Sequence, residues 1–103
     1  MKILGEKQII DFCRKHNQAK SGLMSWIAEV RLANWEVPQD IKNRFSTASF
    51  LAENRVVFNI KGNSYRLVVQ VRYVNGIVKV ENVMTHPEYD KLRLKWQNLD
   101  CAF

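Results

Sequence analysis

Hydrophobic and polar positions divide the chain into a first half with helical spacing and a second half with strand spacing. Apolar residues recur every three or four positions from Glu6 to about Asn17. The same spacing predicts a second helix that begins near Asn17 or Ser21 and ends near Asn34. Pro38 can start a further short helical turn, because proline is favoured in the first turn of a helix.

Three runs rich in β-branched and aromatic residues follow in the second half. They are Arg55–Ile60, Ser64–Tyr73 and Ile77–Met84. The turn signals Lys61-Gly62-Asn63 and Asn75-Gly76 separate them, so we expect a three-stranded antiparallel meander. Residues 46–49 are predicted to form a loop, and Lys2–Leu4 is a candidate edge strand.

Alternation along the strands predicts which side chains share a face of the sheet. In the middle strand, Tyr65, Leu67, Val69, Val71 and Tyr73 should face one way, and Arg66, Val68, Gln70 and Arg72 the other. In the last strand, the same rule puts Val78, Val80, Asn82, Met84 and His86 on one side. We therefore expect the apolar faces to pack against the helices.

Length and element order indicate one α+β domain over residues 1–103, with two N-terminal helices packed on a small antiparallel sheet. Cys13 and Cys101 are far apart and have no CxxC spacing, so a zinc site is not expected. The sequence contains no P-loop, GxGxxG, GxSxG or HExxH motif, and no cofactor is expected. No signal peptide and no apolar run of about 20 residues is visible. We expect a cytoplasmic protein that does not bind membranes.

Positive charge is concentrated in the strand half of the chain. The net charge is +6, and residues 55–97 carry eight Lys and Arg against three Asp and Glu. Residues 1–54 are closer to balance, with eight against six. A basic sheet face is typical of proteins that bind a polyanion, although many small proteins are basic without binding nucleic acid.

Several side chains at one end of the sheet have the chemistry needed to act on a phosphodiester. Arg66 and Arg72 lie on the same strand face, roughly 20 Å apart along extended chain. A guanidinium there can donate two parallel hydrogen bonds to a phosphate, although strand arginines more often simply extend into solvent. His86 can exchange protons near neutral pH, and Tyr89 can stack on a base. Together these groups indicate a metal-free ribonuclease that uses the RNA's own 2′-hydroxyl.

Two sequence blocks add a family resemblance that covers nearly the whole chain. FNIKGNSYRL at residues 58–67 and THPEYDK at residues 85–91 resemble the HigB toxins of bacterial type II toxin–antitoxin systems. HigB toxins belong to the RelE-like superfamily. The resemblance implies a compact microbial RNase fold with two helices on an antiparallel sheet, and cleavage of mRNA on the ribosome.

The resemblance also implies partners and site residues. The partners would be translated mRNA and a HigA-type helix-turn-helix antitoxin, with operator DNA bound only through the toxin–antitoxin complex. Arg66 would stabilise charge on the phosphate, and His86 would be the general acid or base. The residues expected to position RNA are Lys61, Asn63, Arg72, Tyr89 and Lys91.

A second hypothesis keeps the same basic face without catalysis. The chain would then be an RNA- or ribosome-binding module. Steep salt dependence of binding fits both hypotheses, because counterion release accompanies phosphate contacts in either case. Cleavage of translated mRNA discriminates between them.

Overall fold

The fold is a five-stranded sheet with helices on one face. A computed structural model describes residues 1–62 and 64–91 of the 103-residue chain. The elements in chain order are β1 (Lys2–Leu4), α1 (Glu6–Lys15), a single 3₁₀ turn (Asn17–Ala19), α2 (Lys20–Leu32), α3 (Pro38–Arg44), β2 (Ser49–Leu51), β3 (Arg55–Ile60), β4 (Tyr65–Arg72) and β5 (Ile77–Thr85). The chain is helical again over residues 86–91. The α+β class expected from the sequence is confirmed.

The sheet is mixed, which corrects the expectation of a purely antiparallel one. Its strand order is β1-β5-β4-β3-β2, and β1 pairs with β5 in parallel while all other pairs are antiparallel. The long connection from β1 to β5 allows this parallel pairing, because two-residue hairpins join only antiparallel strands. Strand β2 begins at Ser49, inside the predicted loop, and it is too short for an alternating pattern to reveal it.

The larger hydrophobic core lies between the helices and the face of the sheet that they cover, here called the inner face. Trp26 of α2 meets Phe58 of β3 edge to face at 5.4 Å between ring centroids, and Trp35 stacks on Phe58 at 6.2 Å. The alternation predicted for β4 is confirmed, since Leu67, Val69 and Val71 belong to this core. These contacts leave the opposite face of the sheet, the outer face, without a helical layer from α1 or α2.

A β-bulge in β5 breaks the alternation expected for that strand. Val68 of β4 pairs with Asn82, but the next residue, Val69, pairs with Val80, so Glu81 has no partner in the register. Val78 and Val80 therefore face the inner core, whereas Met84 lies on the outer face opposite Arg66. The prediction that Val78, Val80 and Met84 share one side was wrong, because one extra residue places every later side chain on the opposite face of the sheet.

A second, smaller apolar cluster lies on the outer face. Its buried members are Val57, Val68, Met84 and Tyr89, with Leu51 packed against them. Tyr89 comes from the helical residues 86–91, so this segment covers part of the outer face. Within the described residues, no helix is long and apolar enough to cross a bilayer.

Gly5 joins β1 to α1 at a point where the backbone passes close to β5. Its φ is +88°, and a Cβ added there would lie 3.1 Å from the carbonyl oxygen of Val80 and 3.2 Å from its Cβ. Gly76 also has a positive φ, +66°, but an added Cβ would meet nothing within 4 Å. The two glycines thus share the backbone requirement and differ in the space around them.

Replacing these two glycines by alanine should separate backbone strain from steric conflict. We expect Gly76→Ala to lower the free energy of unfolding by about 1 kcal/mol, the cost of placing a Cβ in the left-handed region. Gly5→Ala should cost about 2–3 kcal/mol, because overpacking against Val80 adds to that strain. Urea denaturation of both variants measures the difference. Equal losses would show that the approach of Gly5 to β5 is not tight.

Candidate active site on the outer face of the sheet

Arg66 is a nearly buried cation on the outer face. It lies in β4 with only 9% of its surface exposed, directly between Asn59 of β3 and Met84 of β5. Its Nη1 donates a hydrogen bond to the carbonyl oxygen of Tyr65 at 3.3 Å. Its Cζ lies 5.6 Å from the centroid of the Tyr89 ring. No carboxylate among the described residues forms an ion pair with it.

A buried guanidinium without a carboxylate is energetically unusual. Removing a charge from water is costly unless an opposite charge or several hydrogen bonds compensate it. One neutral carbonyl and the face of the Tyr89 ring compensate Arg66 only in part. An anion that accepts its remaining N–H donors would complete the site, and a phosphate oxygen pair suits the guanidinium fork.

The helical residues 86–91 begin with a capping box that the sequence contains as Thr-x-x-Glu. The backbone nitrogen and hydroxyl of Thr85 donate to Oε1 of Glu88 at 3.3 and 2.8 Å, and the Glu88 nitrogen donates back to the hydroxyl at 3.5 Å. Pro87 occupies the second helical position, where its missing N–H costs nothing. This start places Tyr89 on the outer-face cluster.

His86 lies at the same end of the sheet as Arg66. Its backbone nitrogen donates to the carbonyl oxygen of Ser64 at 3.1 Å, two residues before Arg66. The ring Nε2 is 3.3 Å from a carboxylate oxygen of Asp90, and 46% of the side chain is exposed. An imidazole oriented by a carboxylate and open to solvent can transfer protons to a bound substrate.

The other predicted site residues are spread more widely. Arg72 is exposed and pairs with Ile77, six residues along β4 from Arg66. Lys61 donates to Oε1 of Gln18 at 3.4 Å and lines a cavity of about 160 Å³ beside α2, so it lies toward the helical layer. Lys91 is exposed at the end of the described chain, and Asn63 lies outside the described residues.

Asn59 is a site candidate that sequence reasoning did not single out. It pairs with Arg66 across β3 and β4, and its Nδ2 donates to the carbonyl oxygen of Thr47 at 3.4 Å. The sequence signal that could have found it is its spacing of two residues from Val57, which places both on the outer face. Asn59 and Arg66 are therefore cross-strand neighbours on the outer face.

The shifted pKa values in the described part of the chain belong to groups outside this face. Burial raises the pKa of the Cys13 thiol, partly opposed by Lys20. Burial, with a smaller effect of Asp40, raises the pKa of Tyr73. Cys13 lies in the larger core, where it packs as a small apolar residue.

Comparison with known proteins shows which family the chain belongs to. The family model that matches, over residues 19–92, is HigB toxin, described as a RelE-like toxic component of a toxin–antitoxin system. The chain belongs to this family. The HigB toxin match includes both sequence blocks around Arg66 and His86, so the resemblance inferred from them is confirmed.

Three curated relatives carry the same family name. The mRNA interferase toxin HigB of Escherichia coli K12 is 27% identical over 92 residues, covering 87% of this chain and 88% of the relative. The mRNA interferase HigB of Shigella flexneri has the same identity and coverage. The mRNA interferase HigB of Escherichia coli O6:H1 is 24% identical over 94 residues, with coverage of 89% and 91%. The chain thus spans nearly the whole length of each of them.

The capping box at Thr85 can be tested by replacing its hydroxyl. We expect Thr85→Ala to lower the free energy of unfolding by about 1 kcal/mol, because both hydrogen bonds of the Thr85 hydroxyl with Glu88 are lost and only the backbone bond to the carboxylate remains. Thr85→Ser keeps the hydroxyl and is the matched control, with an expected loss below about 0.5 kcal/mol. Urea denaturation measures both variants. If serine and alanine were equally destabilising, the hydroxyl would not hold this segment.

Proposed function

We propose that this HigB-family toxin is an endoribonuclease that cleaves mRNA during translation on the ribosome. The observation that carries the proposal is Arg66, nine-tenths buried on the outer face without a carboxylate partner among the described residues. Such a guanidinium has N–H donors that can bind a phosphate. The names of the relatives, which are mRNA interferases, support RNA as the source of that phosphate.

The proposed reaction needs two proton transfers and one charge stabiliser. The 2′-hydroxyl of the RNA loses its proton to a base and attacks the neighbouring phosphorus. The bond from phosphorus to the 5′-oxygen breaks, and an acid gives that oxygen a proton. The products are a 2′,3′-cyclic phosphate and a 5′-hydroxyl. In this scheme Arg66 donates to the phosphate oxygens as negative charge develops, and His86 carries out one of the proton transfers.

Four of the other predicted residues are proposed to position RNA rather than to react: Lys61, Asn63, Arg72 and Lys91. Arg72 lies too far along β4 to share a phosphate with Arg66, so we assign it to a phosphate farther along the RNA strand. We further propose that Lys61 and Lys91 add positive charge that attracts the RNA strand, and that the amide of Asn63 offers it hydrogen bonds. Strong electrostatic attraction of this kind makes binding sensitive to salt.

The family supports a proposal for the protein partners. The chain is the toxic component of a toxin–antitoxin pair. We propose that its antitoxin is a HigA-type helix-turn-helix protein and that operator DNA is bound only through their complex. We further propose that the toxin acts in the cytoplasm, where mRNA is translated.

Replacing Arg66 tests the phosphate role. In a purified translation system, followed by primer extension on the mRNA, Arg66→Ala should cut about 100- to 1000-fold more slowly than wild type. Arg66→Lys should recover only part of the rate, because an ammonium lacks the guanidinium fork. Arg14→Ala is the matched control, since Arg14 is exposed on α1. Full activity of Arg66→Ala would remove Arg66 from the mechanism, and ribosome binding without any cleavage by wild type would favour a binding module.

Replacing His86 tests the proton-transfer role. His86→Ala should lower the single-turnover rate about 100-fold or more and remove one limb of the pH–rate profile. The cleaved 5′ fragment should end in a 2′,3′-cyclic phosphate for wild type and variant alike. A variant with a lower rate but an unchanged pH profile would show that His86 acts in binding rather than in proton transfer.

A further inference from the structure

The structure assigns Tyr89 a different role from the base stacking expected from its residue type. We infer that Tyr89 is the positioning residue for Arg66: its ring holds the guanidinium in the orientation that receives a phosphate. This inference rests on the proposed function of Arg66. It concerns how the site is prepared before RNA arrives.

The exposure of Tyr89 argues against base stacking. Only 8% of its surface is exposed, and it is packed in the outer-face cluster with Val57, Val68 and Met84. Its ring already lies against the Arg66 guanidinium at 5.6 Å. Side chains that stack on single-stranded bases need an open ring face, which this tyrosine does not offer.

The surroundings of Arg66 show why it needs such a residue. Arginine has a long side chain with many rotamers, and a bidentate phosphate contact requires one orientation of its planar group. In the described part of the chain, its one hydrogen bond is the 3.3 Å contact with the Tyr65 carbonyl, and no carboxylate orients it. The Tyr89 ring, 5.6 Å from Cζ, restricts the guanidinium while leaving its charge available.

The position of Tyr89 is itself held by the fold. The capping box of Thr85 and Glu88 starts the helical segment, and Tyr89 follows one residue after the box ends. The bulge at Glu81 puts Met84 on the outer face, where it belongs to the same cluster as Tyr89. The capping box and the packing of the cluster therefore both hold the ring in the same position.

A double-mutant cycle tests the inference. Tyr89→Leu should lower the single-turnover cleavage rate about tenfold or more, because it keeps an apolar side chain but removes the ring face. Tyr89→Phe should stay within about threefold of wild type. In an Arg66→Ala background, Tyr89→Leu should cost less than twofold further, since its effect passes through Arg66. Independent, additive losses would overturn the inference, as would a Phe variant as slow as the Leu variant.

Two controls separate positioning from general damage. Val57→Ala loosens the same cluster without removing the ring, so it should leave the rate within about threefold of wild type; a tenfold loss would overturn the inference. The ¹⁵N-resolved Nε–H resonance of Arg66 in the free protein should move in Tyr89→Leu and stay in place in Tyr89→Phe. If wild type did not cleave RNA, the proposed function would fail, and this resonance alone would decide whether Tyr89 positions Arg66.

Discussion

One extra residue in β5, Glu81, decides which face of the sheet Met84 and the residues after it join. Strand side chains alternate strictly, so a single insertion moves every later residue to the opposite face. Without the bulge, Met84 would continue the inner face of Val78 and Val80 and point at the helices. With it, Met84 lies opposite Arg66 on the outer face. Arg55 holds the bulged residue through a 3.0 Å hydrogen bond from Nε to Glu81.

The outer face depends on that bulge for Met84, the member of its small apolar cluster that pairs with Arg66. The larger core forms on the inner face, where the helices bury most of the apolar side chains. Among the described residues, the outer-face cluster buries the Arg66 guanidinium and one aromatic ring, but its apolar side chains cannot compensate the charge. A site left partly unsatisfied costs stability, and functional sites commonly carry such a cost.

Much of the fold was predictable from residue spacing because local rules agreed there. Apolar positions at helical spacing predicted α1 and α2, and alternation predicted both faces of β4. Asn75-Gly76 predicted the hairpin between β4 and β5, which the pairing of Arg72 with Ile77 confirms. Spacing could not predict β2, which is three residues long, or the parallel pairing of β1, which depends on a contact between the two ends of the described chain.

The sequence by itself determined the α+β class, the family, and the types of residue available for RNA chemistry, because these follow from local pattern and motif. It did not determine how those residues are arranged. Tertiary structure decided that Arg66 is buried, that Tyr89 covers it, and that Lys61 and Arg72 lie elsewhere. The physical reason is that burial and face depend on strand register, and register is set by long-range pairing and by a bulge that no local pattern reveals.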